Sequence, residues 1–255
     1  MEIHHQHHHD PPGKKEKAWK HYALEFFMLF LAVSAGFFVE NQREYYLEHH
    51  RELQYAKSLI DDLKVDTMVI QRTLNEKITV SKMMDSLINI LDSGDIVRSN
   101  ELIYYYERYM TFDDPFTSQD VTYQQLRSSG NFRYMSNAEL YKQISDYYNL
   151  YDRYLLLVES KSESLKDHNE MEARLFNAKD LSGLLNSSAQ GYLTLYSRPA
   201  GKLHPVKNDE YYLNYLAVAA SNAKFNREGA VIFLSWLKDK ATGLLKELNA
   251  EYHFD

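Results

Sequence analysis

The sequence predicts an all-α protein: an N-terminal transmembrane helix that continues into a long helix packed in an extracytoplasmic helical bundle. Three observations predict it. Residues 22–39, YALEFFMLFLAVSAGFFV, are apolar apart from Glu25, and as a helix they rise roughly 27 Å, close to the ~30 Å hydrocarbon core of a bilayer. The 255 residues include only nine glycines and five prolines, too few turn formers for a chain of many short elements. Beyond the apolar run, apolar side chains recur at steps of three and four, the period of one helix face.

Taken in order, residues 1–13, MEIHHQHHHDPPG, have no apolar period and end in a Pro-Pro-Gly breaker, which predicts a disordered cytoplasmic tail. His4, His5, His7, His8 and His9 can wrap a divalent ion on a flexible chain. Nothing nearby fixes a coordination geometry, so adventitious affinity is expected; the segment also resembles an imperfect affinity tag.

Residues 14–40 form the predicted anchor. Lys14, Lys15, Lys17 and Lys20 precede the apolar run, and only Arg43 and Arg51 stand among four glutamates just after it. Positive-inside counting keeps the N-terminus in the cytoplasm and places residues 41–255 across the membrane, in the periplasm of a Gram-negative cell. A cleaved signal peptide is the rival reading, because Val33-Ser34-Ala35 resembles a cleavage site. The apolar run continues past it through Phe37, Phe38 and Val39 without a breaker, which favours an uncleaved anchor. Glu25 lies three residues inside the run, where it can reach the headgroups or meet His21 one turn earlier. A proton- or partner-sensing carboxylate is the sharper alternative. Ala32 and Gly36 form a small-xxx-small pair able to seat another transmembrane helix, a pattern also common by chance.

From Glu40 no glycine or proline occurs until Gly94, so one long helix is expected. Leu53, Ala56, Ile60, Leu63, Ile70, Leu74, Met84, Ile88 and Leu91 make a stripe along it, interrupted by Thr67, Lys77 and Ser81. The gaps, with extra apolar positions at Leu59, Ile78 and Leu87, favour packing inside one chain over a parallel coiled coil. Gly94 ends the helix in an Asp-Ser-Gly-Asp turn. Ser99 then caps a short helix that stops at Asp113-Asp114-Pro115, where the paired carboxylates read as turn chemistry and not as a cation site.

Residues 121–129 predict a helix closed by Gly130 in the left-handed conformation. Ser136 and Glu139 form a capping box for the next helix, with Met135 and Leu140 as its hydrophobic staple. That helix carries Leu140, Ile144, Tyr147, Tyr151, Leu155 and Val158 along one face. Residues 177–208 lose the helical period and predict an irregular connection with some basic character at Arg198, Lys202 and His204, more plausibly a crossover than a binding loop. A last helix runs from 209 to about 252, with Phe233, Leu237, Ala241, Leu244 and Leu248 on one face and Trp236 widening it.

The basic stub, the apolar helix with an embedded glutamate, the VENQRE exit and the stretch TYQQLRSSGNFRYMSNAELYKQISDYYN together resemble an uncharacterised family of single-pass bacterial membrane proteins catalogued as a domain of unknown function. The resemblance covers most of the chain from about residue 18. It departs at the exit, where Gln42-Arg43 stands in place of a tryptophan beside the asparagine. It implies an anchored helical extracytoplasmic domain and supplies no catalytic residues.

A net charge of -7 and the lack of a basic cluster beyond the stub exclude nucleic acid as a partner. The absence of cysteine removes disulfides, thiolate metal sites and cysteine nucleophiles. No dinucleotide, P-loop, nucleophile-elbow, zincin or EF-hand motif is present, and His49-His50 are adjacent, not at the i,i+4 spacing a chelating pair needs. No catalytic, cofactor-binding or metal-binding residue is therefore expected, and no cofactor. Among 21 tyrosines, Tyr104, Tyr105, Tyr106 and Tyr109, with Tyr141, Tyr147, Tyr148, Tyr151 and Tyr154, can line a groove for sugars or peptides; the simpler expectation is that they fill the core edge with hydroxyls in water. The partners expected are the lipid bilayer, through residues 22–39, and a protein partner or second copy. The function expected is protein interaction or scaffolding, not an enzyme's, with a sensor-type ligand-binding domain as the alternative.

Overall fold

With Gly36 as its only glycine and no proline over 14–93, the N-terminal third has nothing to break a helix. It is one helix, α1, Gly13–Ser93, ended by Gly94 at φ 71°. The computed structural model describes residues 13–111, 113–159, 165–199 and 201–254, and the His-rich segment expected to form a tail lies outside them up to residue 12. The chain is 80% helical and has no strand among the described residues, which makes it all-α. It divides into two units, ending and beginning at Gln54 and Tyr55.

In the N-terminal unit, α1 is, among the described residues, the one helix long and apolar enough to cross a membrane. None of its apolar window is buried by the protein itself. Phe26, Phe27, Phe30, Phe37 and Phe38 lie toward one side of the helix and Leu24, Met28, Leu29 and Leu31 toward the others, and all are exposed, unlike the one-sided stripe of a helix that packs on a core. His21 Nε2 lies 3.3 Å from Glu25 Oε1.

The second unit packs the rest of α1 with α2 (Asn100–Thr111), α3 (Val121–Ser129), α4 (Ala138–Glu159), α5 (Leu165–Leu175), α6 (Ala178–Ser182) and α7 (Glu210–Tyr252). In α7 the buried residues are Leu216, Ala220, Ala223, Arg227, Ala230, Leu234, Leu237, Ala241, Leu244 and Leu248, steps of four and three that keep one seam facing inward. Two apolar clusters form along the pair of long helices. One joins α1 from Ala56 to Leu74 with α3, α4 and α7 from Ala230 onward. The other joins α1 from Val80 to Leu87 with α2, α5, the 177–208 connection and the start of α7.

Several sequence expectations are corrected here. The inward seam of α7 passes through Leu234; Phe233 is only half-buried and Trp236 is exposed, so the tryptophan does not widen the core. In α1 two of the three gaps in the stripe, Lys77 and Ser81, are buried, and Thr67 is half-buried. The inward register runs through Asp66 and Thr73 as well, on the same three-four steps as Leu63, Ile70 and Met84, while Ile78 is exposed. Lys77 Nζ pairs with Asp113 and donates to the Asp114 carbonyl at 2.9 Å, so the Asp-Asp-Pro turn serves a buried ammonium as well as turning the chain. Nearby, the buried Arg227 guanidinium donates to the carbonyls of Tyr109 and Met110 at 2.5 and 3.3 Å. These are among the last carbonyls of α2, which lack helical partners. Lys77, Ser81 and Arg227 thus form a polar layer between the two apolar clusters.

The corner before α4 follows the sequence closely, with one shift. Gly130 sits at φ 68° and its N–H returns to the α3 carbonyls. A 3₁₀ turn, Asn131–Tyr134, follows. The α4 cap is Asn137, not Ser136: its Oδ1 accepts from the N–H groups of Glu139 and Leu140, each at 3.1 Å. Met135 and Leu140 are both buried in the first cluster. A Cβ on Gly130 would meet nothing within 4 Å, so any cost of substitution there is backbone strain alone. Gly130→Val should therefore lose about 2 kcal/mol, because a β-branched residue holds the left-handed region poorly, and Asn137→Ala about 1 kcal/mol. Urea unfolding of the full chain in detergent checks both; midpoints equal to the parent's would show that the corner does not hold this conformation.

Candidate functional site

The tyrosines come first, because they were the sequence's one compositional oddity. Seven of the nine named are interior: Tyr104, Tyr109, Tyr147 and Tyr154 have no exposed surface, and Tyr105, Tyr148 and Tyr151 are buried, while Tyr106 is half-buried and Tyr141 exposed. Protein groups, not water, meet three of the buried hydroxyls. Tyr104 and Tyr154 accept from the N–H groups of Asn177 and Phe116 at 2.9 and 3.1 Å, and Tyr109 donates to the Leu193 carbonyl at 2.8 Å. Each hydroxyl ties a loop to a helix, satisfying a backbone group that would otherwise be costly to bury.

The densest such network surrounds Asp66, a carboxylate with no exposed surface. It accepts from Ser118 Oγ at 2.5 Å, from Gln119 N–H at 2.7 Å and from Tyr147 Oη at 2.6 Å. Burial raises its affinity for a proton, and the three hydrogen bonds oppose that rise. The network fastens the segment after α2 to α1 and α4.

A different cluster has the chemistry of a site. Glu107 lies on the buried face of α2 with Ile103 and Met110, one turn after the first and one before the second. Its carboxylate is fully buried. From α5, His168 Nε2 stands 2.9 Å from Glu107 Oε1 and 3.7 Å from Glu172 Oε1. His168 is also buried and Glu172 half-buried. The three side chains each bring one ligand atom within 4.8 Å of the others. Arg108 supplies the counter-charge: Nε lies 2.9 Å from Glu107 Oε2, and Nη2 reaches Glu172. Beside the cluster is a cavity of about 270 Å³ whose walls mix polar residues, His168, Thr111, Asn222 and Asn226, with apolar ones, Met110 and Val218 among them.

The expectation of no metal-binding residue did not anticipate this meeting. Part of it was available, since His168 and Glu172 are four apart on a helix, the spacing that points two side chains the same way. Glu107 was not, because only the packing of α2 on α5 brings it there. The other positions singled out from the sequence stay apart from this cluster. His204 Nδ1 pairs with Asp180 at 2.9 Å, the Arg198 guanidinium lies over the Tyr105 ring at 5.6 Å, and His49 and His50 engage Glu52 and Gln54 separately. The 177–208 connection is ordered by α6, a single bridge between Leu185 and Tyr196 and a 3₁₀ turn. Its Leu184, Tyr192 and Val206 are buried in the second cluster.

Comparison of the chain with family models, with curated proteins and with solved structures finds no match.

Proposed function

We propose that this chain is a single-pass membrane protein, held by residues 22–39 with its N-terminus in the cytoplasm and its helical domain in the periplasm, and that it acts as a scaffold or interaction partner for other proteins. The supporting observation is the apolar stretch of α1, whose five phenylalanines find no cover within the protein. Left in water they would be strongly unfavourable, and a bilayer accommodates the whole stretch all round. The lysine-rich stub sets the proposed orientation. The resemblance to the single-pass bacterial family belongs to the same proposal. A sensor-type domain is the second reading, favoured by the cavity beside His168.

Fusion reporters test the topology. Alkaline phosphatase joined after Asp255 should be active, green fluorescent protein at the same place dark, and the mature N-terminus intact. A mature chain starting at Gly36 would mean a cleaved signal peptide and would sink the anchor. Crosslinking in intact membranes, followed by mass spectrometry, should then recover a protein partner or a second copy in defined stoichiometry; recovery of the chain alone, with a small molecule bound, would favour the sensor.

A further inference from the structure

We propose that Glu107, His168 and Glu172 form a binding site for a divalent first-row transition metal such as Zn²⁺ or Mn²⁺. Bonds of 2.0–2.2 Å to such an ion place neighbouring ligand atoms about 2.8–3.6 Å apart, from octahedral to tetrahedral angles. The two separations measured from His168 Nε2, 2.9 and 3.7 Å, lie at the two ends of that range. One imidazole and two carboxylates suit these ions, and the two carboxylates cancel the charge of a dication in a buried setting. Thiolate-preferring ions have no sulfur ligand here, since the chain lacks cysteine.

Arg108 has a defined part in this scheme. Without metal it separates two carboxylates that would otherwise repel each other, bridging Glu107 and Glu172. On binding, Nη2 gives up both Glu172 and Glu107 Oε1, to which it also donates at 3.3 Å, while Nε stays on Glu107 Oε2 and holds that ligand's orientation through its other oxygen. The movement falls on the ends of Arg108 and Glu172, and Glu172 is the most exposed of the three ligands. Protein supplies three ligands, so further coordination positions remain for water, and the adjoining cavity lined by His168 gives such water room.

The test uses the full chain in detergent, stripped with chelator and carrying His4, His5, His7, His8 and His9 all changed to Ala, so that the tail contributes no metal binding. Titration with Co²⁺ should give a saturable visible absorption band at one ion per chain, displaced by Zn²⁺. His168→Ala should abolish the band, and Glu172→Gln should weaken binding at least about tenfold. Arg108→Ala should retain it, because the arginine competes for Glu172. Circular dichroism reports folding of each variant, and Glu172→Gln, at the half-exposed ligand, stands in if His168→Ala unfolds. A folded parent that binds no Co²⁺, or a band unchanged in Glu172→Gln, would leave the cluster an ion-pair network only and overturn the proposal.

Discussion

Raising the pH above 10 should unfold the helical domain in one cooperative step, and the last phase of tyrosinate absorbance should appear in that step and not before it. Burial is the first cause that pushes Tyr104, Tyr109, Tyr147 and Tyr154 above the ordinary phenol value, and it pushes Tyr192 up to about 12. The sign follows from proton counting. Below pH ~10 both folded and unfolded chains keep these protons; above it the unfolded chain releases them and the folded chain does not, so stability falls as pH rises. Each such phenol steepens the fall by about 1.4 kcal/mol per pH unit, and four together by roughly 5. Against a typical domain stability of ~5–15 kcal/mol, the midpoint belongs between about pH 11 and 13. Absorbance near 295 nm and far-ultraviolet circular dichroism, followed together, check this. Full ionisation of the tyrosines with helix content unchanged would show that their hydroxyls are open to water.

Asp66→Ala should be the most destabilising single substitution of those considered, by about 3–5 kcal/mol. The alanine deletes the common acceptor of Ser118, Gln119 and Tyr147 and leaves donors facing a buried void, which costs more than the hydrogen bonds alone are worth. Asp66→Asn keeps one acceptor oxygen but turns an amide donor toward other donors, so it should recover roughly half of the loss. Urea midpoints at an unchanged slope would measure both. An alanine variant within about 1 kcal/mol of the parent would mean that the segment after α2 is held by other contacts.

Much of the architecture was legible because helices are written locally. Gly94, Gly130 and the capping signals before α4 each act within a few residues of themselves, and each produced the predicted boundary, with the cap one position later at Asn137. The apolar run of α1 is equally local, a matter of length and side-chain type. The resident of a buried position is not local. Lys77 reads as a break in a stripe until Asp113 and the Asp114 carbonyl, 36 and 37 residues away, are placed beside it, and the tyrosines read as a surface until Asn177, Phe116 and Leu193 meet their hydroxyls. The periodicity of a helix says which face turns inward; whether a charge is tolerated there depends on a partner that only tertiary packing supplies. By itself, then, the sequence determined an all-α chain, the ends of several of its helices and one helix apolar enough for a bilayer. The tertiary structure alone decided that Asp66, Lys77, Glu107 and Arg227 are interior residues, and that Glu107 joins His168 and Glu172, because a buried charge persists only where distant segments bring it hydrogen bonds and counter-charge.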